Sequence, residues 1–424
     1  MSKVGISDIA LFIPQPKIDL TELVVHRGRE NQRLEKKLRR AIETTGQKSI
    51  RFPHYWEDSA TIAAESVRRL FMQNPRLDAD KVRYLVAGTE TTLDHSKPMA
   101  SYVQGMLQKS NIAISENIST FQLQHACAAG TLALLSVASM LEISGTEDEC
   151  GIVISSDVAR YKESTTAEIT QGAGAAAIVT EKNAKLINLD LNHIGFSSQD
   201  VDDFFRPLGQ ETAEVKGYYS VQCYHHALQS SFEDYARRSG KDPGEVLCSS
   251  DYFVLHTPFR NMPEAGMLLL LHKYCGNTEH EAREILVEKG FYEGIDPISD
   301  IGNIYTGSLF LTLAYQLKRQ YDKIGKDIVG KRIILGSYGS GNTMAIISGT
   351  IAADAPEVIE SWNLDALLHQ AAKASLGEYE EWIERTKNGK GPHITDRDKI
   401  PSGVYFLKSI REDGYREYSF SSKG

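Results

Sequence analysis

A chain of 424 residues, 41% hydrophobic and 24% charged, is long enough for two or three compact units with a large core, and its even composition excludes extended disorder. The formal charge of −9, with no basic stripe, excludes a nucleic-acid surface, so any anionic ligand has to be met by local basic groups. Five scattered cysteines without a CxxC spacing fit neither a disulfide framework nor a zinc site, which makes a reducing cytoplasm the simplest setting.

Residues 4–13 read as a first strand closed by Pro14 and Pro16, and residues 1–14 lack a secretory cleavage pattern. Residues 20–42 are charged and helix-forming, and their basic run from Arg29 to Arg40 reads as a solvated face and not as a binding patch. Ala60, Ala63, Ala64, Val67 and Leu70 recur at helical spacing within residues 58–72, and residues 82–87 form a buried strand that stops at Gly88-Thr89-Glu90. Phe121 and Leu123 alternate as a strand does. After them comes a lone Cys127 and then an almost uncharged segment to Ile143, which suits a helix buried on all sides. Cys127 would sit at that helix's N-terminus, where free N–H groups and the dipole favour thiolate, although a lone cysteine is as readily a small buried hydrophobe.

Residues 151–156 and 171–180 read as two more strands, the second fed by a Gly-rich turn that lacks the Lys-Ser/Thr ending of a phosphate loop. Residues 191–250 are polar and aromatic and break the pattern, and the adjacent His225 and His226 point to different sides of any regular element. The pattern then returns. Residues 251–256 form a strand ending at His256, residues 302–317 a turn into an apolar helix with Asn303 in the slot of Cys127, and residues 332–348 a strand and a Gly-rich hairpin. The longest continuous apolar run in this reading, residues 267–271, is too short to span a bilayer, so no membrane segment is expected. A tail from residue 355 holds an acidic helix over 357–387 and a hairpin around Asp413-Gly414, an added lobe.

Two halves with the same order of elements imply a duplicated α/β framework: residues 1–190, residues 191–354 with an insertion at 191–250, and an appendage at 355–424. Equivalent strand ends meeting at one cleft would bring Glu90, Cys127, His256 and Asn303 together.

Gly88-Thr89-Glu90, the helix start at Ala126-Cys127, Asp203-Phe204-Phe205-Arg206-Pro207, Tyr219-Ser220-Val221-Gln222-Cys223-Tyr224, His256-Thr257-Pro258-Phe259, Gly302-Asn303 through Ser308 and Ser337-Tyr338-Gly339-Ser340-Gly341 occur in one order, and that order resembles the 3-hydroxy-3-methylglutaryl-CoA synthases of the thiolase superfamily. The resemblance runs over residues 4–350. It implies a thiolase-like fold that pairs as a homodimer, an acyltransferase of the mevalonate route to isoprenoids, and acetyl-CoA and acetoacetyl-CoA as substrates with no further cofactor and no metal. Cys127 would take the acetyl group, Glu90 would remove a methyl proton once burial raises its pKa, and His256 would protonate the new alkoxide. Asn303 would support the oxyanion or orient His256, and Tyr161, Thr170, Ser220, Asn303 and Ser337 would touch substrate.

Two departures stand out, the first bearing on the shape of the acetyl pocket and the second on the carrier. Ala128 follows the nucleophile where the family has an aromatic residue, and Arg260-Asn261-Met262-Pro263-Glu264 stands where it carries lysines. Three other readings stay open: a β-branching synthase acting on ketones bound to an acyl carrier protein, a type III β-ketoacyl synthase, and a non-catalytic subunit of the same fold.

Overall fold

The computed structural model describes residues 4–388 and 393–422. Met1 to Lys3, which open the stretch read for a leader, and four residues of the appendage before His393 lie outside them. The elements that build the site are, in chain order, β1 (Gly5–Phe12), α1 (Leu20–Gly28), α2 (Gln32–Thr45), α3 (Ser59–Gln73), β2 (Val82–Gly88), α4 (Met99–Lys109), β3 (Ser119–Leu123), α5 (Ala129–Ser144), β4 (Cys150–Ala159) and β5 (Gly172–Glu181). They continue with β6 (Ile187–Ser198), α6 (Gly217–Ser239), β7 (Tyr252–Leu255), α7 (Asn261–Cys275), α8 (Ser308–Ile324), β8 (Arg332–Gly339), β9 (Thr343–Ile351), α9 (Leu376–Asn388) and the hairpin β10 (Tyr405–Ile410) and β11 (Arg416–Phe420).

One nine-stranded sheet runs β7-β8-β9-β6-β1-β5-β4-β2-β3. The duplication shows in its pairing. In the first half β1 lies antiparallel to β5, β5 antiparallel to β4, and β4 parallel to β2. In the second half β6 lies antiparallel to β9, β9 antiparallel to β8, and β8 parallel to β7. The halves join where β1 meets β6 at Gly5–Asn188 and Ile6–Ile187. This is the mixed α/β, thiolase-like arrangement expected, with β3 as the strand that has no counterpart in the second half among the described residues.

The two central helices, α5 and α8, share one apolar cluster with strands of both halves. Leu134, Val137 and Leu141 pack with Leu309, Phe310 and Leu313, and with Val153, Ile178, Leu335 and Ile347 of the sheet. Their first three turns are buried on nearly every side, which is why those turns carry no charge, and the charged residues of α8 begin only at Lys318, toward its exposed end. Close approach at the base of α5 needs glycine: a Cβ on Gly88 would stand 2.4 Å from the Ala129 carbonyl oxygen, and one on Gly130 would stand 2.0 Å from Ser155 Oγ. The end of β2 therefore runs directly against the first turn of α5.

Several expected elements differ. The charged helix over 20–42 is two helices, broken at Arg29 to Asn31, and Asn31 caps α2 by accepting the Leu34 N–H at 3.0 Å. Helix α5 is not buried on all sides, since Ser139, Glu142 and Ile143 are exposed at its end. Among the described residues it is also the one helix, over residues 126–144, long and apolar enough to cross a membrane by length and composition, but more than half of it is buried in the core. The boundary at 190 falls inside β6. Much of 191–250 is framework and not insertion, because α6 packs on β6 and β9 as α3 packs on β1 and β5. In the tail, the single acidic helix is three shorter helices, Ala355–Glu360, Asp365–His369 and α9. The hairpin is no separate lobe: Tyr405, Leu407 and Tyr418 enter the apolar cluster of α3 and α4, and the Tyr405 N–H donates to Glu65 Oε1 at 2.8 Å.

Candidate active site

Cys127 lies in the turn between β3 and α5, after Ala126, whose φ of +42° bends the chain sharply into the helix. Its Sγ lies 3.6 Å from Oε1 of Glu90, which stands two residues past the end of β2. β2 and β3 are parallel neighbours, so their C-terminal ends meet on the same side of the sheet.

The Glu90 loop is held by Asp157 of β4. Its Oδ1 accepts from the hydroxyls of Thr89 and Thr91 at 2.8 Å each and from the N–H groups of Glu90 and Thr91 at 3.0 Å each. Its Oδ2 accepts from the N–H and hydroxyl of Thr306, in the turn that opens α8. One buried carboxylate thus ties the base-bearing loop of the first half to the helix start of the second.

His256 follows β7 and is 2% exposed. Its Nδ1 lies 2.7 Å from Ser308 Oγ, the first residue of α8. Ser308 spends its only hydroxyl proton on the Tyr305 carbonyl at 2.9 Å, so it accepts from Nδ1–H and leaves Nε2 as the unprotonated nitrogen.

A cavity of about 550 Å³ is lined by Cys127, Tyr161, Thr170, Ser220, His256 and Asn303, together with Phe204, Tyr305 and Tyr338. Glu90 reaches it through Cys127. Thr170 Oγ1 donates to the Ala167 carbonyl at 2.8 Å and Ser220 Oγ to Asp203 at 3.2 Å, so both hydroxyls have protein partners beside the cavity. Asn303 is placed by its N–H donating to the Thr170 carbonyl at 2.9 Å, and its Oδ1 accepts the Tyr305 N–H at 2.8 Å. That approach needs Gly302, whose φ is +89° and whose Cβ would meet the Gln171 carbonyl oxygen at 1.7 Å. Ser337 is not brought to the cavity. It is 1% exposed within β8, and its neighbours Tyr338 and Ser340 line the wall instead.

The electrostatics differ from the sequence expectation at two places. Burial, with Glu90 and Asp157 nearby, pushes the Cys127 thiol well above its ordinary pKa, so the helix N-terminus does not produce a standing thiolate. Burial also drives the His256 imidazole down to about 3, so at neutral pH it has no proton at Nε2 to give to an alkoxide. Glu90 moves in the expected direction: burial first, then the Asp157 charge, raise its carboxyl to about 8.

Some residues escaped the sequence reading. Asp157 sits inside an apolar strand with no pattern to mark it. Ser308 closes the motif at residues 302–308, and its position at the helix start is the signal that marks it. Lys37 and Arg40, read as solvated surface, line the mouth of the cavity one turn apart on α2. Among the described residues neither is ion-paired, whereas Arg260, expected near the carrier, is bonded to Glu264 and Asp296 at 3.0 Å each.

Known proteins carry the same framework. Residues 1–185 match the family model "Hydroxymethylglutaryl-coenzyme A synthase N terminal", and residues 187–296 and 297–421 match its C-terminal counterpart. The hydroxymethylglutaryl-CoA synthase of Haloferax volcanii is 27% identical over 418 residues, covering 90% of this chain and 91% of that one. A solved structure of MvaS in complex with 3-hydroxy-3-methylglutaryl coenzyme A superposes with a TM-score of 0.86 at 30% identity over the whole of both chains. The synthase of the curacin pathway in complex with holo donor-ACP, 22% identical over 99% of this chain and 100% of that one, shares the fold with a TM-score of 0.84. With both family models spanning nearly its whole length, the chain belongs to the hydroxymethylglutaryl-CoA synthase family of condensing acyltransferases.

Proposed function

We propose that this protein condenses acetyl-CoA with acetoacetyl-CoA to 3-hydroxy-3-methylglutaryl-CoA through an acetyl group carried on Cys127. The observation that carries this reading is a buried carboxyl, raised to about 8, placed 3.6 Å from the nucleophilic sulfur. A base beside an acyl-sulfur is what enolisation of a bound acetyl group requires, and decarboxylative condensation has no use for it.

In the first step Nε2 of His256 takes the Cys127 proton as sulfur attacks acetyl-CoA, and returns it to the departing coenzyme sulfur. In the second, the Glu90 carboxylate removes a methyl proton, and the carbanion adds to the ketone carbon of acetoacetyl-CoA. Because its pKa is high, protonated Glu90 is a competent acid at neutral pH and returns that proton to the alkoxide, the role the sequence reading assigned to His256. Water then cleaves the thioester, freeing the Cys127 thiol and the product carboxylate. Tyr161, Thr170, Ser220 and Asn303 bound the acyl groups.

Lys37 and Arg40, at the mouth without an ion-pair partner among the described residues, suit the phosphates of the coenzyme, which favours CoA over a carrier protein as the thioester's bearer. A second copy of the chain would cover the outer edge of β3 and the exposed end of α5 at Ile143, giving a homodimer. Free thiols at all five cysteines fit a reducing cytoplasm.

Mass spectrometry of Cys127 after exposure to acetyl-CoA or to an acetylated carrier protein is the test. Acetylation by CoA, followed by product on adding acetoacetyl-CoA, is expected. Acetylation by the carrier alone would move the assignment to β-branching, and acetylation by neither would leave a binding subunit.

A further inference from the structure

The cavity wall that presents Tyr161 and Thr170 is the connection between β4 and β5, residues 160–171. Its inner face bounds the cavity and its outer face rests on α1 and α9. Arg27 of α1 grips the buried Glu168 carboxylate through Nε and Nη2, at 3.1 and 2.7 Å to Oε1, and extends Nη1 to Glu380 of α9 at 2.6 Å. Glu168 also accepts the Ser164 N–H at 2.7 Å, which folds the connection back on itself.

The link to the far end of the chain is Tyr379. Its hydroxyl accepts from Gln171 Nε2 at 2.7 Å and donates to Glu168 Oε1 at 3.3 Å. Gln171 turns its other amide atom inward, where Oε1 accepts the Tyr161 N–H at 2.7 Å. At the start of the connection Arg160 lies over the Trp382 ring, 4.2 Å from its centre, and donates to the Ile383 carbonyl at 3.3 Å. Both ends and the middle of this wall are therefore tied to a helix more than 200 residues later in the chain, by groups that do not themselves line the cavity.

We propose that Tyr379, acting through Gln171 and Glu168, is a positioning residue for the 160–171 wall, so that the C-terminal helix sets how tightly the cavity holds an acyl thioester. Without the hydroxyl, the Gln171 amide loses the partner that fixes its orientation, and its Oε1 is held less firmly against the Tyr161 N–H. This inference rests on the acyl-transfer reading of the cavity, and its test has a part that does not.

The test is Tyr379→Phe in the full chain, which keeps the ring packed against Phe52 and Trp382. Hydrogen exchange at the Tyr161 and Ser164 amides should accelerate roughly ten-fold, with β2 and α5 unchanged. The KM for the thioester should rise about ten-fold while kcat stays within about three-fold. Unchanged exchange at those amides overturns the proposal, as does acceleration spread across the whole first half or a loss confined to kcat. Should this variant fail to fold, Gln171→Ala cuts the same link from the loop side and is read in the same way. A parent protein that no thioester acylates would sink the acyl-transfer reading instead, and the exchange measurement would still decide the positioning.

Discussion

Oε1 of Glu90 and Sγ of Cys127 lie 3.6 Å apart in a buried setting. Burial raises both pKa values, and the Glu90 charge raises that of the thiol further, while the thiol's hydrogen bond lowers that of Glu90 only in part. The resting pair is neutral, and chemistry begins only when a proton leaves it. The Glu90 carboxylate that enolisation needs is a minority species at pH 7.

The pH dependence follows. With Cys127 already acetylated, the condensation rate should rise about ten-fold per pH unit below about 8 and level off above it. Glu90→Gln should retain acetylation of Cys127 and lose about 10²–10⁴-fold in carbon–carbon bond formation. Stability should move the other way. Folded Glu90 keeps its proton up to about 8, while the unfolded side chain releases it near 4.5, so the native state binds more protons between these values and loses stability as pH rises through them. Thermal melts from pH 5 to pH 8 should show a smaller decline for Glu90→Gln than for the parent.

Asp157→Asn tests the tie between the two halves. The asparagine amide must turn a donor toward groups that already donate, at either Thr89 and Thr91 or Thr306. Urea unfolding should show a loss of about 1–3 kcal/mol. Single-turnover condensation should slow by about 10–100-fold as the Glu90 loop loses its anchor. No change in either would mean that Asp157 is a passenger in β4.

Ser308→Ala removes the acceptor that holds His256 in its Nδ1–H form. Acetylation of Cys127 should then slow by about 10–100-fold, with Ser308→Thr recovering most of the rate. Stopped-flow release of free coenzyme thiol measures it. An alanine variant as fast as the parent would remove Nε2 of His256 as the base for acylation.

Lys37→Glu combined with Arg40→Glu should raise the KM for acetyl-CoA by about ten-fold, because both cations line the cavity mouth with no ion-pair partner among the described residues. Acetyl-pantetheine, which lacks the phosphates, should be used equally well by parent and variant. Steady-state kinetics with the two donors side by side decide whether this helix face meets the coenzyme.

Read from the chain alone, the duplication was visible because burial of a sheet and its helices imposes the same apolar periodicity wherever it occurs. Strand ends followed by Glu90, Cys127 and His256 could be recognised because each breaks an apolar run abruptly, and β2, β3 and β7 do end there or within a few residues. The boundary near 190 was harder. β6 alternates polar and apolar residues along its length, and α6 carries polar residues on its outer face, so both resembled an insertion.

Local sequence determined which segments are strands and helices and which chemical groups stand at their ends, because those follow from spacing and burial preference within a dozen residues. Only the tertiary structure decided the protonation of those groups, since the pKa of Cys127, Glu90 and His256 depends on how deeply they are buried and on what is packed beside them. It alone turned a basic helix face into a cavity mouth and joined Tyr379 to Gln171, because contacts across hundreds of residues arise from packing and leave no local pattern to read.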